Sequence, residues 1–284
     1  MSYSPELSEK AINCARRIAE WLCAIQEPER DDNPAAGAFP WMIRENGKEE
    51  FANNWNVAFA TMGMLSAYKA FGDPMYERAA LNMGRYMKSL QIFDPFKPDY
   101  YGAIREMGPQ CPWNYTRDTV SVAWSFLDLF RHTGDEEYLE RAKLFGKWFL
   151  KHGLDNEGWP LWGHQFEPYF VNRTPQMRND VQGSFQGGSL NFLYRLWQDS
   201  GDEKWIGSAF ETMADFFVKH IQQESGFYCT ILRDTKQVPP DPQGGLHRTN
   251  DDLGSLGLLC AHRVLKKDVY LDSIRKYLNA CIAA

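Results

Sequence analysis

The stretch DLFRHTGDEEYLERAK, Asp128–Lys143, holds a helix end, a tight Gly-Asp corner and a second helix start. The same arrangement returns at AYKAFGDPMYERAA (67–80), at RLWQDSGDEKWIGSAF (195–210) and, with a Lys-Lys corner, at HRVLKKDVYLDSIRK (262–276). The corner residues Gly72, Gly134, Gly201 and Lys266 stand 62, 67 and 65 residues apart by subtraction. Self-similarity at such a period marks a chain of stacked units, none of which buries its apolar face alone.

Before each corner the residues are apolar and small, over Asn56–Phe71, Asp118–Thr133, Gly183–Ser200 and Asp251–Leu265. After it they are more charged, over Asp73–Leu90, Glu136–Lys151, Glu203–Ile221 and Asp268–Ala283. A helix that is apolar nearly all round is enclosed and one with a polar face looks outward, so each unit is an inner helix followed by an outer one. Glu6–Ile25 has outer character and stands unpaired in front, giving nine helices in one all-α domain over 1–284.

The outer helices end alike. Gln26, Gln91, Gln222 and, in the odd repeat, His152 precede the segments GAFPW (37–41), GAIRE (102–106), GFYCT (226–230) and GWPLW (158–162). A Gly followed by alternating large residues predicts a short extended or hairpin segment. Long loops then lead to the next inner helix, and loops of that length in a compact repeat are usually functional.

On the TGDEEYLERAK corner, its Gly-Asp relatives and the Gln-then-Gly-aromatic ends, the chain resembles the α/α toroids, in particular the six-hairpin glycosidase-like superfamily and the neighbouring toroid polysaccharide lyases. The resemblance covers most of the chain and implies a ring of helical hairpins around a central hole. Six hairpins need more helices than the nine counted here, so the ring is short or open, belongs to a larger protein, or is completed by another subunit, a homo-oligomer included. The apolar end LNACIAA fits an edge that needs cover.

The short corners send all the long loops to the opposite rim, so every inner-helix start faces one mouth. Three of those starts carry an Arg and an acid: Arg117 with Asp118, Arg178 with Asp180, and Arg248 with Asp251 and Asp252. Taken singly, such acids cap helices and complement the helix dipole, and the arginines brace neighbouring repeats. Taken together, carboxylates crowded in a mouth split their pKa values into the acid and the base that glycoside hydrolysis uses. Asp118 and Asp180 are the expected pair, with Asp251 or Asp252 as the alternative member. The rim also holds rings that stack on sugars, Trp41, Trp55, Trp113, Trp159 and Trp162, or alternatively pack on one another. Asn56, Tyr101, Arg105, His164 and His247 complete the candidate binding set.

A net charge of −6 and the lack of a Lys/Arg run exclude nucleic acid and anionic membrane as partners. No apolar run approaches the roughly 18 residues of a membrane span and no basic-then-apolar leader opens the chain, which predicts a soluble cytoplasmic protein. The six cysteines are scattered and, without CxxC or HExxH, read as buried free thiols; neither metal nor cofactor is expected. The composition and the resemblance lead to a carbohydrate-active enzyme that takes an oligosaccharide or another polar small molecule, an anionic one given the Arg-rich rim. A glycoside hydrolase comes first. The alternatives are a lyase or uronyl epimerase using Tyr101, His164 or His247 as base with Arg105 and Asn56, a non-catalytic binding or scaffold ring, and an isoprenoid-binding toroid. The last lacks its DxDD acid here.

Overall fold

A computed structural model of the chain describes residues 5–28, 33–43, 45, 49–51, 53–166, 180–181, 184–238 and 253–284. Among them are nine α-helices: α1 (Pro5–Ile25), α2 (Asn54–Phe71), α3 (Pro74–Ser89), α4 (Thr116–Thr133), α5 (Glu136–His152), α6 (Gly188–Ser200), α7 (Ser208–Phe216), α8 (Gly254–Leu265) and α9 (Asp268–Ala283). Each corner works as its residues dictate. Gly134 takes the left-handed conformation at φ 72°, where Gly carries no Cβ penalty, and donates its N–H to Phe130 O at 2.8 Å. Asp135 then accepts from the Glu137 N–H at 3.0 Å and caps α5. Gly72–Asp73 and Gly201–Asp202 repeat the arrangement, and Lys266 adopts the same left-handed turn at φ 56°.

The inner helices α2, α4, α6 and α8 pack side by side in that order, with α3, α5, α7 and α9 outside them and α1 against α2 and α3. The core lies between the layers and includes Phe126, Phe145, Phe192, Phe210 and Phe217. No comparable packing joins α8 back to α2 among the described residues, so the four inner helices form an arc. Its flanks are apolar: Leu7, Ile12, Ile18 and Trp21 of α1 and Leu278 and Ile282 of α9 are exposed. Two ion pairs brace the arc between α4 and α6, Arg131 to Asp199 at 2.8 Å and Arg195 to Asp128.

The third outer helix departs from the continuous run expected over Glu203–Ile221. It is a 3₁₀ turn at Glu203–Ile206, then α7, then a π-turn at Phe217–Ile221. Gly207, extended at ψ −156°, interrupts it after the first turn. The third inner helix likewise opens with a 3₁₀ turn, Ser184–Gly187.

The Gln-then-Gly ends have a structural cause. The Gln91 side-chain amide donates both to Gly102 O of its own segment (3.1 Å) and to Arg141 O of the next outer helix (3.0 Å). Gln26 and Gln222 do the same with Gly37 and Ala79 and with Gly226 and Ser273. Each Gly turn therefore rests on the neighbouring repeat. A Cβ on Gly102, where φ is +95°, would lie 2.8 Å from Leu144 O. Gly102→Ala is expected to destabilise the fold by more than about 1 kcal/mol, read as a lower thermal midpoint.

The extended segments pair in antiparallel two-stranded ribbons: β1 (Pro40–Ile43) with β2 (Glu49–Phe51), β3 (Trp113–Tyr115) with β4 (Gly163–Gln165), and β5 (Asp180–Val181) with β6 (Ile231–Leu232). The first is a local hairpin, and Ile104, Pro160 and Tyr228 in the other Gly segments make antiparallel bridges back to Gln91, Leu154 and Gln222 respectively, the short hairpin turn that the sequence suggests. In the β3–β4 and β5–β6 ribbons, the strand that precedes an inner helix pairs with the segment after the next outer helix, which stitches consecutive repeats together at the mouth.

Candidate functional site

The best-defined cluster on the mouth surrounds the start of α4. Asp118 stands in the first turn of that helix, with 7% of its side chain exposed. Its Oδ1 takes a bond from the Arg117 guanidinium at 3.2 Å, and that guanidinium covers the Trp55 ring at 4.8 Å. On its other side Asp118 meets the Glu106 carboxyl, and each of the two groups shifts the other's titration.

Glu106 is the last residue of GAIRE and is fully buried. Its Oε2 accepts from the Tyr115 N–H at 2.8 Å, while its own N–H donates to Trp113 O (3.0 Å) and its carbonyl accepts from Asn54 N–H (2.8 Å). It thus ties together β3, the start of α4 and the start of α2. Thr116 N–H and Trp162 O make the equivalent bond one repeat on, at 3.0 Å, so the last residue of each of these two Gly segments lies beside an inner-helix start. Burial pushes the Glu106 carboxyl well above the usual range, and the nearby Asp118 carboxyl adds to the rise. Burial also raises Asp118, against the bond from Glu106 and the charge of Arg117, which both pull it down.

Half-buried rings flank the pair. Trp113 meets Tyr115 edge-on at 4.9 Å and Tyr115 meets Trp162 at 6.3 Å. Trp55 meets Phe59 at 6.1 Å, and Phe59 meets Trp124 at 6.4 Å. The structure therefore brings Trp55, Trp113, Arg117, Asp118 and Trp162 to one place, with Asn56 half-buried on α2 close by. Arg105 lies just outside, donating to Cys111 O with its guanidinium 5.7 Å from the Phe166 ring centre.

Three other expected members, Trp159, His164 and Tyr101, lie elsewhere. Trp159 is fully buried and stacked on Phe216 at 5.0 Å; it belongs to the layer between inner and outer helices rather than to the rim, because the second residue of a Gly segment turns inward. His164 is in β4, its Nε2–H bonded to His152 O at 2.7 Å and its ring against Trp148 at 4.8 Å; burial lowers its pKa. Tyr101 is exposed on the outer side, edge-on to Phe93 at 5.8 Å. Asp180 lies in β5, ahead of the 3₁₀ turn, where its backbone pairs with Leu232. Trp41 lies in β1. Arg178, His247, Arg248, Asp251 and Asp252 are outside the described residues.

Among the described residues no three His, Cys, Asp or Glu side chains are placed to hold a metal ion, and no helix is long and apolar enough to cross a membrane. Glu106, the carboxyl that faces Asp118, is the residue that reading the sequence missed. Its signal is positional: the last residues of the four Gly segments are Trp41, Glu106, Trp162 and Thr230, and only one of them is an acid.

No family model matches the sequence, and no curated protein does. Among solved structures, the chain is similar to a sugar epimerase from a ruminal bacterium, at a TM-score of 0.70 and 13% identity over 95% of this chain and 70% of that one. It is also similar to a family 76 glycoside hydrolase, a mannosidase from Bacteroides thetaiotaomicron (0.67, 13%, 95% and 71%), and to an unsaturated glucuronyl hydrolase specific for heparin (0.66, 15%, 97% and 67%). These likenesses show the fold alone, an α/α toroid arrangement of helical hairpins. It spans 67 to 71% of the length of those three structures.

Proposed function

We propose that this chain is a carbohydrate-active enzyme that hydrolyses a glycosidic bond of an oligosaccharide, with Asp118 as one of its working carboxyl groups. The observation that carries the reading is the sealed Glu106–Asp118 pair at the start of an inner helix, beside half-exposed aromatic rings. Two like groups in a dry site hold one proton between them, and so supply a carboxyl in a set protonation state. The rings give the flat apolar surfaces that sugar faces prefer, and Arg117 adds a cation suited to an acidic substituent. The sugar-acting proteins on the same fold support the substrate class.

The Glu106–Asp118 contact is too close for the two partners of a hydrolysis, whose carboxyl groups stand roughly 5–10 Å apart. The second partner in this reading is Asp180, Asp251 or Asp252.

A brace between repeats would join two inner helices, as Arg131–Asp199 and Arg195–Asp128 do. Arg117 and Asp118 are neighbours on one helix and their ion pair stays within it; Arg117 meets α2 through the Trp55 ring instead. The elimination or epimerisation reading is weaker, since Tyr101 stands on the outer side and His164 is committed to a backbone carbonyl.

The test is turnover on a panel of neutral and uronate-bearing oligosaccharides. Hydrolysis releases a new reducing end without a conjugated alkene; an unsaturated product, or no cleavage anywhere on the panel, contradicts the proposal. Trp113→Ala and Trp162→Ala are each expected to raise KM roughly three- to tenfold, the worth of one aromatic contact, with the thermal midpoint unchanged.

A further inference from the structure

Resting on the reading that Asp118 works on the sugar, we infer that Glu106 is its positioning residue: a neutral carboxylic acid whose Oε1–H donates to the Asp118 carboxylate and holds it ionised and in one orientation.

The geometry leaves little alternative. Glu106 cannot swing away, because its backbone N–H, its carbonyl and its Oε2 are bonded to Trp113, Asn54 and Tyr115, each in a different part of the mouth. Its Oε1 is buried and has no hydrogen-bond partner among the described residues, and the charged group that acts on the carboxyl is another carboxyl, Asp118. As a carboxylate, Glu106 would hold an unpaired charge in a dry site against a second negative charge. A proton on Oε1 removes the charge, satisfies the oxygen and turns repulsion into a hydrogen bond. The proton belongs on Glu106 because Arg117, the one cation at the pair among the described residues, bonds to Asp118 instead. Among the described residues the titratable groups that act on Glu106 are Asp118 on α4, Cys111 ahead of β3 and Tyr86 on α3, and none of them brings it a positive charge.

The consequence is an assignment of roles. Asp118, kept ionised, serves as base or nucleophile, and the proton donor is a second acid of the mouth. Glu106 never touches the sugar.

Two measurements on the intact chain test this. The first needs no activity: carboxyl ¹³C NMR, with the Glu106 signal assigned by its loss in Glu106→Gln. A protonated Glu106 at pH 6 is expected, and an ionised one overturns the inference whatever Asp118 does. The second compares Glu106→Gln with Glu106→Leu. The Gln amide still donates, so kcat is expected to stay within about threefold and the acidic limb of the pH–kcat profile to stay in place. Leu cannot donate; kcat is expected to fall about ten- to hundredfold with KM unchanged, and the acidic limb to move to higher pH, because Asp118 loses the bond that keeps its pKa down. Coincident limbs in the two variants would show Glu106 to be packing alone and overturn the inference. If the NMR result holds while Asp118→Asn keeps full turnover, the fault lies with the catalytic reading and not with the pair.

Discussion

Asp118→Asn is expected to lower kcat on a cleaved oligosaccharide by about 10²–10⁴-fold, the usual worth of a general acid or base, with the fold intact. The amide is isosteric: its one oxygen still accepts from Arg117, and its NH2 group donates to the Glu106 carboxyl, whose Oε1 has no other partner among the described residues. Two electrostatic changes oppose each other. The helix start loses an anion worth about 0.3–1 kcal/mol, and the site loses a charge that burial disfavours, so the thermal midpoint should move by only a few degrees. The side chain is nearly enclosed and its carboxyl is already engaged, so a passive cap would tolerate Asn. Unchanged turnover in the variant would reduce Asp118 to that role.

Trp159→Ala is expected to cost about 3–5 kcal/mol of stability, the range for truncating a buried aromatic. At roughly 2–4 °C per kcal/mol for a chain of this size, the midpoint falls by about 6–20 °C. Trp159 has no exposed surface, stacks on Phe216 and lies 5.8 Å from the Phe217 ring, so no neighbour fills the space it leaves. Its companion in the same segment, Trp162, is half-buried at the mouth, and Trp162→Ala should barely move the midpoint. Thermal unfolding of the two variants separates them. A Trp159→Ala protein that melts normally but loses sugar affinity would return Trp159 to the rim.

That contrast marks how far the sequence could be read. The Gly-Asp corners and the alternation of apolar and charged helices depend on local chemistry and period, and all nine helices and their inner–outer order are legible from them. The Gln ends are legible as a repeat, but their cause is not: Gln91 reaches a carbonyl 50 residues away, in the next outer helix. Within GWPLW both Trp look alike in sequence. The positive φ of Gly158 turns the next two residues, Trp159 and Pro160, onto the neighbouring repeat and leaves the last at the mouth, as Ala103 and Ile104 are buried after Gly102. Glu106 escaped notice for a related reason. It stands twelve residues before Asp118, with no periodic signal to link them, and only the crossing of the Gly segment past the start of α4 brings the two carboxyls together.

The central claim is that an oligosaccharide binds at the start of α4, among Trp55, Trp113 and Trp162. It is tested most directly by titrating sugars from the panel onto Asp118→Asn protein labelled with ¹⁵N-tryptophan, so that substrate is held and not consumed. The account predicts that the indole signals of those three residues shift while those of the buried Trp159 and Trp205 stay still. Shifts confined to other tryptophans, or none with any sugar on the panel, would contradict it.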